Sequence, residues 1–243
     1  MPNDKTCVLK GNWVTDWYLM KRSTPVYLWF SLFGLLCYFR QEGVVRVADH
    51  LAYAVALQAS YSLSWLKCWY LITLLGGGVF VFVPTGLLLG YMLWCRRHVR
   101  VLAYVALAAG LFFLPTIFKD VFMWERPTGL APFYPEPATY TFPSGHVFNS
   151  VVFFYFLPRL FGHIFFTNKP IPPELSSCLH WSFYVAFIAI IALSRVFLGV
   201  HWLFDVIGGV CLGTGTCSWL LILYPKPSWS EYRITNKEQG ISK

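Results

Sequence analysis

The stretch SRVFLGVHWLFD, residues 194–205, decides how this chain is read, because it sets Arg195, His201 and Asp205 in the seam between two long apolar runs. An ionisable side chain flanked by membrane-grade sequence is costly to place, so each of the three is a functional candidate. His201 and Asp205 are four residues apart, which on a helix puts them one turn apart on the same face. A carboxylate there can accept the proton of one imidazole nitrogen, fix the tautomer, and leave the other nitrogen free as nucleophile or base. Arg195, six residues before His201, offers a planar fork of donors suited to phosphate oxygens. Alone, the stretch equally fits a structural His–Asp pair beside an arginine that snorkels at a membrane boundary. The rest of the chain has to decide.

Outward from that seam, the composition is that of an integral membrane protein. Of 243 residues, 57% are hydrophobic, 19% aromatic and only 12% charged, with a mean hydropathy of +0.55; ordinary soluble domains carry about twice that share of charge. The formal net charge of +8 and pI near 9.2 do not point to nucleic acid. No nucleic-acid motif is present, and the basic residues collect between apolar runs and in the tail, as in a membrane protein. The seven cysteines (Cys7, Cys37, Cys68, Cys95, Cys178, Cys211, Cys217) form no CxxC pair. Most fall in or beside apolar segments, where cysteine packs as a small hydrophobe. Neither a disulfide framework nor a zinc site is implied. Lys21 and Arg22 precede the first apolar run without a small-residue cleavage site, so that run reads as an uncleaved anchor.

Residues 1–24 are mixed, with Trp13, Trp17 and Tyr18 of interfacial character. Pro25 suits the first turn of a helix, and the apolar run 25–39 spans a bilayer if Arg40 snorkels and the helix continues to about residue 45. Residues 44–66 mix Arg46, Asp49, His50 and Gln58 with apolar residues. They predict an amphipathic helix lying on the membrane surface, with Asp49 and His50 on its solvated face. Spans follow at 69–94, where Gly76, Gly77, Gly78 and Pro84 predict a kink or close packing, and at 101–118. Between these two lies CRRHVR, residues 95–100, the densest basic cluster and a cytoplasmic marker. Spans at 146–166, 181–198 and 202–223 complete the set, with a polar tail at 225–243 and no second domain. The expected fold is therefore all-α: a single membrane-embedded domain, residues 1–243, of six transmembrane helices plus one interfacial helix. With residues 95–100 inside, the proline-rich loop 119–145 and the 199–201 turn share the outer face.

That shared face collects further candidates. Lys119 and Arg126 are seven apart, and would stack two turns apart if the helix ending there continues to Arg126. Ser144, Gly145 and His146 immediately precede an apolar helix, whose start offers backbone N–H groups and a positive dipole end to an anion. Three cations, a helix N-terminus and two histidines, one with a carboxylate partner, make a phosphate site that requires no metal.

Taken together, K-x6-RP (Lys119 to Pro127), PSGH (Pro143 to His146) and SR-x5-H-x3-D (Ser194 to Asp205) resemble the tripartite signature of the type 2 phosphatidic acid phosphatase superfamily. All three occur in order, complete at every defining position, with 15 residues between the first two and 47 between the last two. The motifs cover a small part of the chain; the family's six-span layout agrees with the threading. The resemblance implies that His201 attacks phosphorus and becomes a phosphohistidine, that Asp205 orients it, and that His146 protonates the leaving oxygen. It implies further that Lys119, Arg126, Ser144, Gly145 and Arg195 hold the phosphate oxygens, with no cofactor and no metal.

The implied substrate is a membrane lipid phosphate or pyrophosphate of the undecaprenyl pyrophosphate, phosphatidylglycerophosphate, phosphatidic acid or lipid A phosphate class. The bilayer and that lipid are the implied partners, with no obligate protein partner. The implied setting is a bacterial inner membrane with the site on the extracytoplasmic face. Two other readings stay open on the residues: a lipid phosphotransferase using the same phosphohistidine, and a non-catalytic protein that only binds lipid headgroups.

Overall fold

The computed structural model describes residues 13–40, 42–60, 62–94, 107, 109–127, 129–131, 133–134, 138–165 and 173–223. The basic cluster 95–100, residues 101–106 and 108 of the 101–118 span, Glu136, residues 167–172 and the tail from 224 onward lie outside the described residues. Among the described residues the fold is all-helical. The helices are α1 Trp13–Phe39, α2 Gly43–Ala59, α3 Leu63–Leu74, α4 Gly78–Trp94, α5 Leu114–Phe122, α6 Gly145–Phe165, α7 Pro173–Phe197 and α8 Leu203–Leu223.

The apolar C-terminal helix α8 is the centre of the bundle, with α1 and α6 laid along it and α7 packed on α6. Phe33 of α1, Phe142, Val147, Phe148 and Val151 at and in α6, and Leu212 and Leu220 of α8 form its buried core. The large side chains Leu35, Leu71, Val79, Leu87, Phe183 and Val185 point outward instead. Arg195, Asp205 and Ser144 are fully buried. Apolar surface outside and charge inside is the reverse of a soluble domain. Residues Leu63–Leu87 and Leu203–Leu220 are long and apolar enough to cross a membrane, and Thr24–Phe39 and Trp181–Phe197 are shorter apolar helices.

Several expectations change. Pro25 lies inside α1 rather than at its start, the helix running back through the Trp- and Tyr-bearing stretch. The expected 44–66 helix ends at Ala59, where the Ser60 hydroxyl bonds the Ala56 carbonyl at 2.6 Å, a side-chain alternative to the helical ladder that serine favours. The expected 69–94 span is two helices, because the chain turns at residues 75–77 between α3 and α4. Gly76 sits where a Cβ would lie 2.7 Å from Ser150 Oγ and 2.8 Å from Ile191 Cγ2, so the turn nests directly on α6 and α7.

Four charged residues also move from their expected places. Asp49 is not on a solvated face: it is 2% exposed and ion-paired to Arg40. Arg40 does not snorkel, but is buried between Asp49 and Asp205. A buried charge needs a partner, and these two opposite charges supply one another. Lys119 and Arg126 do not stack on one helix, because α5 stops at Phe122 with Met123 left-handed at φ 51° and its N–H on the Lys119 carbonyl.

Candidate active site

The geometry of the site begins where α7 ends. Gly199 N–H bonds the Val196 carbonyl at 2.9 Å and Val200 N–H bonds the Arg195 carbonyl at 3.2 Å, the paired closure that needs a left-handed residue after the helix. Gly199 supplies it at φ 66°, a conformation that costs a residue without Cβ little. Arg195 is thereby tied to Val200, and His201 follows at once. The next helix then starts from both sides. Asp205 Oδ2 reaches back to the Trp202 N–H at 2.7 Å, as a carboxylate in the first turn of a helix does for the residue at the cap. Asp49 Oδ1 accepts the Phe204 N–H at 3.0 Å from α2. The residues between Arg195 and Asp205 are thus held at both ends by helix-terminal hydrogen bonds.

His201 precedes α8 rather than lying on it, yet keeps its carboxylate neighbour: Nδ1 is 3.4 Å from Asp205 Oδ2. The structure interposes a residue that the sequence reading missed. Thr141 Oγ1 lies 3.2 Å from His201 Nδ1 and donates its proton to Asp205 Oδ2. Having donated there, the hydroxyl offers only its lone pairs to Nδ1, so the imidazole donates Nδ1–H to Thr141. The other side agrees: Nε2 is 3.3 Å from Arg126 Nη1, and a guanidinium can only donate. Nε2 therefore carries the lone pair. Burial first, then the charges of Arg195, Arg126 and Lys119, hold His201 well below the usual imidazole pKa, which keeps that lone pair free at neutral pH.

Arg126 fastens two loops together. Its Nε donates to the Thr139 carbonyl at 2.7 Å, Nη1 to the Val200 carbonyl at 2.6 Å, and Nη2 to the Tyr140 carbonyl at 3.0 Å and Thr139 Oγ1 at 3.2 Å. Burial, then Arg195, lowers its pKa to about 10, so it stays cationic. Lys119 reaches the same Thr139 hydroxyl at 3.4 Å. These cations therefore come together through Thr139 and the loop rather than through helical spacing. Arg195 Nη1 donates to Thr73 Oγ1 of α3 at 2.8 Å and to the Tyr134 hydroxyl at 3.0 Å, while its Nε has no partner among the described residues. Tyr134 also turns its ring under the guanidinium, 5.4 Å from the centroid.

Ser144 occupies the cap position of α6, its carbonyl accepting the Phe148 N–H at 3.0 Å and its own N–H donating to the Asp205 carbonyl at 3.0 Å. Its hydroxyl does not cap the helix; it is fully buried with no partner among the described residues. Two buried donors, Ser144 Oγ and Arg195 Nε, thus remain for an acceptor, and a desolvated donor without one costs about 1–3 kcal/mol. His146, in the first turn of α6, lies beside the glycine turn: a Cβ on Gly77 would be 3.7 Å from its Nε2. Lys119, Arg126 and Arg195 all act electrostatically on both histidines. All eight residues expected from the sequence converge on one region, and Thr73, Tyr134, Thr139 and Thr141 join them. A recognisable signal for Thr141 was its place two residues before the PSGH segment, a hydroxyl inside an otherwise apolar approach to it.

Residues 97–229 match the PAP2 superfamily. The chain belongs to the PAP2 superfamily. It is accordingly a membrane phosphatase acting on lipid phosphates. No curated protein matches it. Among solved structures it is similar to the crystal structure of the first transmembrane PAP2 type phosphatidylglycerolphosphate phosphatase from Bacillus subtilis. The identity is 22% and the TM-score 0.64, over 91% of this chain and 98% of that one. That likeness is one of fold. The superfamily match includes Lys119, Arg126, His146, Arg195, His201 and Asp205, while α1, α2, α3 and α4 lie before it.

Proposed function

We propose that this PAP2-superfamily phosphatase hydrolyses a lipid phosphate or lipid pyrophosphate through a phosphohistidine at His201, without a metal. The observation that carries the reading is the polarity of His201: Nδ1–H is engaged through Thr141 toward Asp205, and the Nε2 lone pair faces the Arg126 cation. In the first step Nε2 attacks phosphorus, the P–N bond forms, and the P–O bond to the lipid breaks. His146, protonated once the phosphate anion lies beside it, gives its proton to the leaving oxygen. Asp205 stabilises the imidazole as it becomes cationic, Thr141 carrying the contact. In the second step His146 takes a proton from water, the hydroxide attacks phosphorus, the P–N bond breaks, and inorganic phosphate leaves with His201 restored. Lys119, Arg195, Ser144 Oγ and the Gly145 N–H hold the phosphoryl oxygens, with Arg126 beside the nucleophile. Preorganised charge of this kind is usually the largest catalytic contribution.

The bundle is read as six membrane-crossing segments with α2 at the interface, in a bacterial inner membrane. Arg96, Arg97 and Arg100 mark the cytoplasmic side, and one crossing then carries Lys119 and the rest of the site to the extracytoplasmic face. Apolar α3 and α4 flank a lipid chain beside the glycine turn near His146. Because the solved relative is named for phosphatidylglycerolphosphate, that lipid is the first substrate to try, followed by phosphatidic acid and undecaprenyl pyrophosphate.

The test is phosphate release by purified full-length protein in detergent with excess chelator. It is run beside quenching of the enzyme in alkaline detergent after mixing with lipid labelled in the phosphate. Turnover in chelator, an acid-labile and base-stable label on the protein, and loss of both in His201→Ala are expected. A requirement for added magnesium, or wild-type release by His201→Ala, overturns the mechanism. Transfer of label to a second lipid without free phosphate would make the protein a phosphotransferase. Labelling of Glu136→Cys but not Arg97→Cys by an impermeant thiol reagent on sealed cells, in a cysteine-free background, is expected from the sidedness; the reverse overturns it.

A further inference from the structure

Behind the His201–Asp205 pair, on the side away from Thr141, lies an ion pair that belongs to none of the three motifs. Arg40 follows the last residue of α1 and Asp49 lies in α2, both before the stretch matched to the superfamily. Arg40 Nη1 pairs with Asp49 Oδ2, and Arg40 Nη2 lies 3.5 Å from Asp205 Oδ1. The two oxygens of Asp205 are divided. Oδ2 takes the Thr141 hydroxyl and the Trp202 N–H. Oδ1 has no hydrogen-bond partner among the described residues, and Arg40 is the cation facing it. A wholly buried carboxylate without a cation takes up a proton rather than stay charged. Asp49 serves two purposes: one oxygen holds Arg40, and the other caps α8 at Phe204, one residue before Asp205. Trp124 lies 5.5 Å from the Arg40 guanidinium carbon, closing a third side.

We propose that Arg40 and Asp49 are positioning residues for the reaction: Arg40 keeps Asp205 ionised and turned toward His201, and Asp49 sets how much of the Arg40 charge Asp205 feels. The proposal rests on the phosphohistidine reading above. Neither residue touches the phosphate, so both act through Asp205 alone. They also tie α1 and α2 to the reacting histidine, which explains why charges expected on the outside of the bundle are buried instead.

The readout is the pH profile of kcat/KM for phosphatidic acid in detergent micelles, with full-length purified variants and the same substrate throughout, so that the ionisation of the lipid is common to all. The charges facing the pair are Arg40 from α1, Asp49 from α2, Lys119 from α5, Arg126 from its loop, His146 from α6 and Arg195 from α7. Arg46, His50 and Glu125 line the adjoining cavity of about 430 Å³. Only Arg40 and Asp49 are changed. Arg40→Met removes a positive charge beside Asp205, so protons bind the pair more tightly and the acidic limb moves up by about one pH unit. On the acidic side of that limb kcat/KM falls by up to about tenfold at a given pH, with KM within about threefold because the phosphate cradle is intact. Arg40→Lys keeps the charge and the limb near wild type. Asp49→Asn keeps a cap for Phe204 but removes a negative charge, and moves the limb down.

Opposite shifts in Arg40→Met and Asp49→Asn support the proposal, because a merely structural role lowers activity evenly across pH. An unmoved limb in both, or shifts of the same sign, overturns it. If Arg40→Met does not fold, the Asp49→Asn shift and the Arg40→Lys profile still decide. If the wild type forms no phosphoenzyme, the underlying mechanism has failed; if it does and the limbs stay put, only this inference has.

Discussion

Removing the hydroxyl of Thr141 is the sharpest test of how His201 is held. Thr141 is fully buried, donates to Asp205 Oδ2, and stands 3.2 Å from His201 Nδ1, nearer than the 3.4 Å that separates Nδ1 from the carboxylate itself. Thr141→Val replaces the hydroxyl by a methyl of similar size, leaving the carboxylate one donor short and Nδ1–H without its nearest acceptor. A hydrogen bond to a charged group contributes about 1.5–3 kcal/mol. Its contribution is largest when His201 becomes cationic on phosphorylation, so most of the loss falls on the transition state. At 1.36 kcal/mol per decade, kcat should fall about 10- to 150-fold. Rapid-quench measurement of phosphoenzyme formation isolates the affected step, and KM should change little. Thr141→Ser, which restores the hydroxyl, should recover most of the rate. A correctly folded Thr141→Val enzyme within twofold of wild type would refute the bridge, leaving Asp205 to act on His201 directly.

Gly209→Ala tests the packing that places the PSGH segment, since its Cβ would lie 2.7 Å from the Ser144 carbonyl oxygen and 3.2 Å from Val147 Cβ, neither able to swing aside. Displacement of the α6 start should cost about 1–3 kcal/mol of stability and lower kcat by up to about 100-fold, read by thermal unfolding and turnover; Gly34→Ala, with nothing near its Cβ position, is the neutral control. The pH dependence of kcat/KM, corrected for ionisation of the substrate, should keep its acidic limb below pH 6.5: His201 must be neutral to attack, and its pKa is lowered from 6.5, so the active form is lost only as pH falls through that lower value. A limb at or above 6.5 assigned to His201 would mean that the neighbouring cations do not act on it as the geometry requires.

Much of the site was legible because its residues are expensive where they stand. Arg195, His201 and Asp205 interrupt apolar sequence, and the local chain alone, through Gly199 and the start of α8, brings them close. Ser144 and His146 were placed by the same logic at a helix start. What could not be read was how separate elements meet. Lys119 and Arg126 were expected to share a helix; Met123 ends it, and the two converge on Thr139, which lies 20 residues from Lys119 and 13 from Arg126. Asp49 was placed on a solvated face because α2 is amphipathic, yet its polar side includes the very residue that turns inward. The available signal was the pairing: Arg40 and Asp49 are opposite charges close together in mostly apolar sequence, and each offsets the burial of the other. Periodicity says which face of a helix is polar. It does not say whether that face meets water or a buried charge.

The charges around His201 also answer an apparent conflict in the proposed chemistry. Three cations that attract a phosphate can weaken a nearby nucleophile when one of them donates a hydrogen bond to its lone pair. Here the same potential disfavours the imidazolium, so His201 keeps its lone pair, and Arg126 is restrained from competing for it by the carbonyls of Thr139, Tyr140 and Val200. The opposing need, stabilising positive charge on the ring once phosphorus is bound, falls to Asp205 on the far side through Thr141. A carboxylate can do that only while ionised in its wholly buried position, and among the described residues the groups that meet it on that side are a hydroxyl, a backbone N–H and Arg40. The phosphate side of the ring is thus positive and the other side negative, and that gradient across one imidazole is what lets His201 be neutral before attack and cationic after it.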